Sequence, residues 1–140
     1  MNTLLDARSA ICPKSLDDII RSNRDRMRAY LTTEEELLTL RGPGPIQAVT
    51  GMITHWNFVT FFLTESKTAN IHLTGYNAAE QSSWMTSIIV AIDGNAVVTH
   101  TGSLYILEGE KSEELDLEYI CATLNSWGIG QKFDVPPFFF

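Results

Sequence analysis

The stretch "WMTSIIVAIDGNAVVTHTGSLYILEG", residues 84–109, constrains the fold more than any other part of the chain. Three runs of β-branched, aliphatic and aromatic residues are separated by short polar clusters containing glycine, the chemistry of strands joined by tight turns. Asp93-Gly94 with Asn95 supplies the positive-φ residues of a two-residue hairpin, and Thr101-Gly102-Ser103 supplies the next turn. Strands joined so closely pair with their neighbours as an antiparallel meander. Upstream, "TANIHLTGY" alternates, with Ala69, Ile71 and Leu73 on one face and Asn70, His72 and Thr74 on the other, so one side of that strand is expected to be wet. Between Ile46 and Leu107 the pattern predicts five or six strands.

The flanks read as helices. In "KSLDDIIRSNRDRMRAYL" a helix is expected to start near Leu16, with Ser15 and Asp18 forming a near capping box. Leu16, Ile19, Ile20, Met27, Tyr30 and Leu31 recur at helical spacing along it. "TTEEELLTL" predicts a second, short helix capped by Thr32 or Thr33, and "RGPGP" ends it. The last helix is expected to run from a Ser112 cap, through Glu113 and Glu114, to a stop at Trp127-Gly128. Two helices, a sheet and a final helix make an α+β chain, and 140 residues fit one domain, 1–140.

That last helix carries two apolar strips. Leu117, Ile120, Cys121, Leu124 and Trp127 form a core stripe, while Leu115, Tyr119 and Ala122 lie roughly opposite and need cover of their own. The closing "DVPPFFF" poses a matching problem, since each phenylalanine carries about 150 to 250 Å² of mostly apolar surface. In an extended chain Phe138 and Phe140 face away from Phe139, so one flat surface cannot cover all three. The expectation is an aromatic tail docked between the sheet and the second strip; a tail shared with a second copy, in a homodimer, or with a partner is the alternative.

Composition narrows the function. With 44% hydrophobic and 19% charged residues and no apolar run near the ~20 residues of a membrane span, the chain reads as globular, with no membrane segment. "MNTLLDARSAICPK" lacks the uninterrupted apolar stretch of a secretory signal, and a cytoplasmic location is expected. Cys12 and Cys121 are then free thiols. The net charge is −7, and its densest patch lies between Glu108 and Glu118, where six carboxylates face Lys111 alone. Such a field repels phosphate, so no direct nucleic-acid partner is expected.

Catalytic signals are weak. His55, His72 and His100 lack HxH or HExxH spacing, and no metal site is expected. Thr99, Thr101 and Ser103 sit near His100 in sequence without an acid to orient it, and "RGPGP" lacks the Lys-Ser/Thr of a phosphate loop. No catalytic residue, cofactor or metal ligand is therefore assigned.

"AVVTHTGSLYILEG", the acidic stretch after it, "ICATLNSWGIG" and "VPPFFF" together resemble small proteins of bacteriophages and proteobacterial mobile elements, in which a T-x-T/S-G-S-x-Y-x-L strand pair precedes a final helix. The resemblance covers the last third of the chain and brings no catalytic residues with it. It implies a setting, because small acidic proteins of such elements are often inhibitors of host machinery, anti-CRISPR proteins among them. The expected function is a non-enzymatic inhibitor that binds a host protein or nucleoprotein complex with a basic surface through Glu113, Glu114, Leu115, Asp116, Glu118 and Tyr119. Two alternatives stand beside it: a small enzyme or ligand-binding domain with a histidine in a sheet-lined pocket, and an oligomeric structural protein.

Overall fold

In the computed structural model, residues 15–16 and 25–128 are described. They form six strands and two helices, in the order β1 (Met27–Leu31), α1 (Glu34–Leu40), β2 (Gly51–Leu63), β3 (Thr68–Asn77), β4 (Ser82–Asp93), β5 (Ala96–Thr99), β6 (Leu104–Leu107) and α2 (Leu117–Ser126). The class is α+β, and each strand from β1 to β6 pairs antiparallel with the next. The hairpin turns fall where the glycines placed them: Gly94 sits at φ 60° and Gly102 at φ 92°. Asn95 does not share the positive φ expected of it; among the two central residues of that turn only Gly94 adopts it.

The meander closes on itself. Five antiparallel strands leave the fifth running parallel to the first, and Gly51–Ile53 of β2 pair parallel with Tyr105–Leu107 of β6. The C-terminal half of the same β2 edge pairs with β1, from Met27↔Leu63 to Leu31↔Val59. One 13-residue strand thus serves both the barrel seam and an added strand. Register shifts between Thr54 and Asn57 on β2, between His72 and Thr74 on β3, and between Ile89 and Ala91 on β4 bend the strands enough to close the ring.

Strand alternation divides the core in two. Inside the barrel lie Ile53, Phe58, Leu73, Ile89 and Val97, with Leu37 of α1 packed on them. On the outer face of β2 and β4, Val59, Phe61 and Met85 meet Ile120, Cys121 and Leu124 of α2, together with Met27 and Ala29 of β1. Helix α1 is held by a reciprocal capping box, in which the Thr33 hydroxyl accepts from Glu36 N and the Glu36 carboxylate accepts from Thr33 N.

Several sequence expectations are corrected. The first helix does not extend over Met27–Leu31, which is strand β1; Met27 and Ala29 are buried and Arg28 is exposed, a period of two that the free edge of β2 selects over the helical spacing. Residues 17–24 of that expected helix, and the Phe138–Phe140 tail, lie outside the described residues. Helix α2 begins at Leu117 with Asp116 as its cap, not at Ser112. The outward face of β3 is not wet, since His72 and Thr74 are 4% and 6% exposed. The second apolar strip of α2 does not stand opposite the first: Leu115 precedes the helix, and Leu115 and Tyr119 pack against the same core as Ile120.

Candidate binding site

The acidic segment Glu108–Asp116 cannot become helix because β2 holds its backbone. Trp56 donates its indole N–H to Gly109 O, Asn57 donates its amide to Ser112 O, and Ser112 N donates to Trp56 O. The Ser112 hydroxyl accepts from Glu114 N in a local turn rather than capping a helix. Helix α2 starts only once the Asp116 carboxylate accepts from Tyr119 N. The segment is fixed as a ridge with Glu108, Glu110, Glu113, Glu114, Asp116 and Glu118 exposed and Leu115 and Tyr119 half-buried. All six residues assigned to partner binding from the sequence fall on this ridge and the first turn of α2.

The β2 anchor is itself shaped by a bulge. His55 and Trp56 together oppose Gly75 of β3, and His55 takes φ 49°, a left-handed backbone that a non-glycine residue adopts at a cost. Gly75 permits this approach: a Cβ there would stand 2.5 Å from Ile53 Cγ2 and 2.7 Å from Thr54 O. The bulge turns Trp56 toward Gly109 and leaves His55 exposed beside the ridge.

Between bulge, ridge and the end of the β3–β4 pair lies a cleft of about 340 Å³. Tyr76 of β3 and Tyr119 of α2 contribute aromatic surface, and Glu114 and Asp116 contribute carboxylates. Tyr76 pairs with Ser83 across the strands, and the Ser83 hydroxyl donates to Asp116 Oδ2 at 2.8 Å, clamping the ridge to β4. His55 also borders the cleft, and its Nδ1 lies 3.3 Å from the Thr54 hydroxyl. Trp84 reaches the lining from the adjacent position, but its side chain packs on the barrel core.

Two buried titratable side chains, His72 and Cys121, serve packing. His72 is buried, its Nδ1–H donates to Thr86 O at 2.9 Å, and its ring stacks 5.3 Å from Trp127 and edge-on to Phe61. Burial holds its pKa below the ordinary histidine value, with the nearby His100 charge acting in the same direction and the Thr86 bond opposing. The Cys121 thiol is buried and pushed up to about 12, chiefly by desolvation, which keeps it protonated. Among the described residues no group of three or more His, Cys, Asp or Glu is placed to hold a metal ion, and no helix is long and apolar enough to cross a membrane.

No family model, curated protein or solved structure matches the chain. The site therefore rests on its own geometry. Sequence reasoning found the acidic ridge and singled out His55 as one of three histidines without its place beside the ridge, and it missed Tyr76 and Ser83; the three lie 31 to 61 residues from Glu114 and Asp116, with which they line the cleft.

Proposed function

We propose that the protein acts by binding: it is an acidic inhibitor that occupies a basic surface of a host protein or nucleoprotein complex. The observation that carries this reading is the exposed carboxylate ridge, tethered by five hydrogen bonds, four to β2 and one to β4, so that the backbone carrying its charges is held in place. A preorganised array binds with less ordering cost than a loose acidic loop and steers a basic partner during encounter. The phage or mobile-element setting, with anti-CRISPR proteins as the comparable case, comes from the resemblance of the last third of the chain and belongs to the same proposal.

The test is kinetic. A partner recovered from host lysate and purified should associate with the E110K/E113K variant about tenfold more slowly at low salt than with the parent chain, and with a flatter salt dependence. Both side chains are exposed, so the melting temperature should hold. An unchanged association rate would reduce the ridge to a solvated surface.

The enzymatic alternative has one observation in its favour, His55 at the rim of a cleft that also holds Ser83, Ser112 and Asp116. The binding reading is preferred to it because the His55 ring meets the Thr54 hydroxyl rather than Ser83 or Ser112, and Asp116 also serves as the cap of α2. Replacing His55 with Gln should leave the inhibitory effect intact.

A further inference from the structure

The cleft beside the ridge combines features that a general acidic surface lacks. Its volume of about 340 Å³ falls within the range of small-ligand sites. Its lining holds two carboxylates, Glu114 and Asp116, two phenol rings, Tyr76 and Tyr119, and neither lysine nor arginine. Asp116 is fixed at both oxygens, Oδ1 by Tyr119 N and Oδ2 by Ser83, and each oxygen retains a lone pair for a further donor. Tyr76 is 39% exposed although its strand neighbours Thr74 and Asn77 are buried, which leaves its ring available to a ligand. A planar cation with several N–H donors meets these conditions together: its face lies on an aromatic ring and its edge forks to a carboxylate. An ammonium satisfies the charge but not the planar stacking, and an anion is repelled by both carboxylates.

We propose that this cleft receives an arginine side chain of the partner, its guanidinium set against Tyr76 and paired with Glu114 and Asp116. The inference rests on the binding reading above and deepens it, because it gives the acidic ridge one anchoring pocket and gives the partner one required residue. Glu108, Glu110 and Glu113, outside the cleft, contribute the long-range field, while Glu114 and Asp116 make the contact.

The test needs no partner. The isotopically labelled full chain is titrated by NMR with a capped Gly-Arg-Gly peptide, and in parallel with its lysine and citrulline counterparts. The arginine peptide should shift the amides of Ser83, Asp116 and Tyr119, and it should bind about tenfold more tightly than the uncharged citrulline peptide, with lysine between them. E114Q and Y76L should each weaken arginine binding several-fold. E110Q removes the same charge outside the cleft and should change it less than about twofold at 0.15 M salt, where exposed charges are screened. D116N keeps a competent helix cap while removing a carboxylate, so its weakening would report the pocket rather than unfolding. Equal binding of arginine and citrulline peptides would overturn the proposal, as would equal losses in E110Q and E114Q or shifts confined to other residues. Lysine binding as tightly as arginine would overturn the guanidinium assignment. None of these outcomes bears on the association kinetics of the E110K/E113K variant, whose two positions lie outside the cleft, so failure of the pocket and failure of the binding reading remain distinguishable.

Discussion

Gly75 decides more than its size suggests, because the bulge of β2 closes against a position where any Cβ would meet backbone. Its φ lies outside the left-handed region, so the constraint is steric rather than conformational. G75A should cost about 1–3 kcal/mol, as overpacking at a rigid neighbour does. It should also move His55 and the Trp56–Gly109 tether, visible as changed amide shifts along Glu108–Asp116 as well as a lower melting temperature. A melting temperature equal to the parent's would mean that β2 has room to retreat. His72 gives the pH counterpart. Its folded-state pKa is depressed below 6.5, so the unfolded chain takes up the proton first as the solution is acidified. Stability is complete above that value and falls as the pH drops from 6.5 toward the folded-state value, at a slope of at most ~1.4 kcal/mol per pH unit from this one group. H72N retains a donor for Thr86 O and should flatten that acid limb in urea melts followed between pH 7 and 5; an undiminished slope would assign the acid sensitivity to other groups.

At the scale of elements, the loop before α2 shows how tertiary contacts set a helix boundary. Glu113 and Glu114 are reasonable first-turn residues, and Ser112 is a good cap, so local propensity allows a helix there. Four hydrogen bonds to β2 hold the backbone elsewhere, and Asp116 becomes the cap by default. D116A should therefore lose about 1 kcal/mol, roughly 4 °C in melting temperature for a chain of this size, while D116N should lose only a few tenths. Equal losses for Ala and Asn would point to the Ser83 contact rather than the cap as the stabilising element. Strand β1 makes the same point with the opposite outcome, since it forms in a segment whose apolar spacing also suits a helix.

For the whole molecule, barrel closure relates the acidic ridge to the rest of the fold. Residue Glu108 N donates to Ile53 O immediately after the parallel β6–β2 seam, so the ridge leaves the barrel beside the bulge that anchors it. The seam joins positions more than 50 residues apart, so the ridge is arranged only when the ring has closed. The association prediction for E110K/E113K belongs at this scale, because it depends on the summed field of the face rather than on one contact. The pocket prediction does not, which is why the neutralised control lies outside the cleft.

Local signals alone placed the two glycine turns, the alternation of β3, a threonine cap for α1 at Thr32 or Thr33, the stop of α2 at Trp127-Gly128, and the density of carboxylates from Glu108 to Glu118. Each of these follows from backbone preference or side-chain period over a few residues. Assembly of the fold, and no local signal, made Met27–Leu31 a strand, returned β6 to β2, buried His72 and Thr74 of β3, and brought Tyr76, Ser83 and His55 into one cleft with Glu114 and Asp116. Those outcomes depend on which edge is unpaired and which face is uncovered once the ring forms. Such conditions belong to the assembled barrel, and no window of a dozen residues contains them.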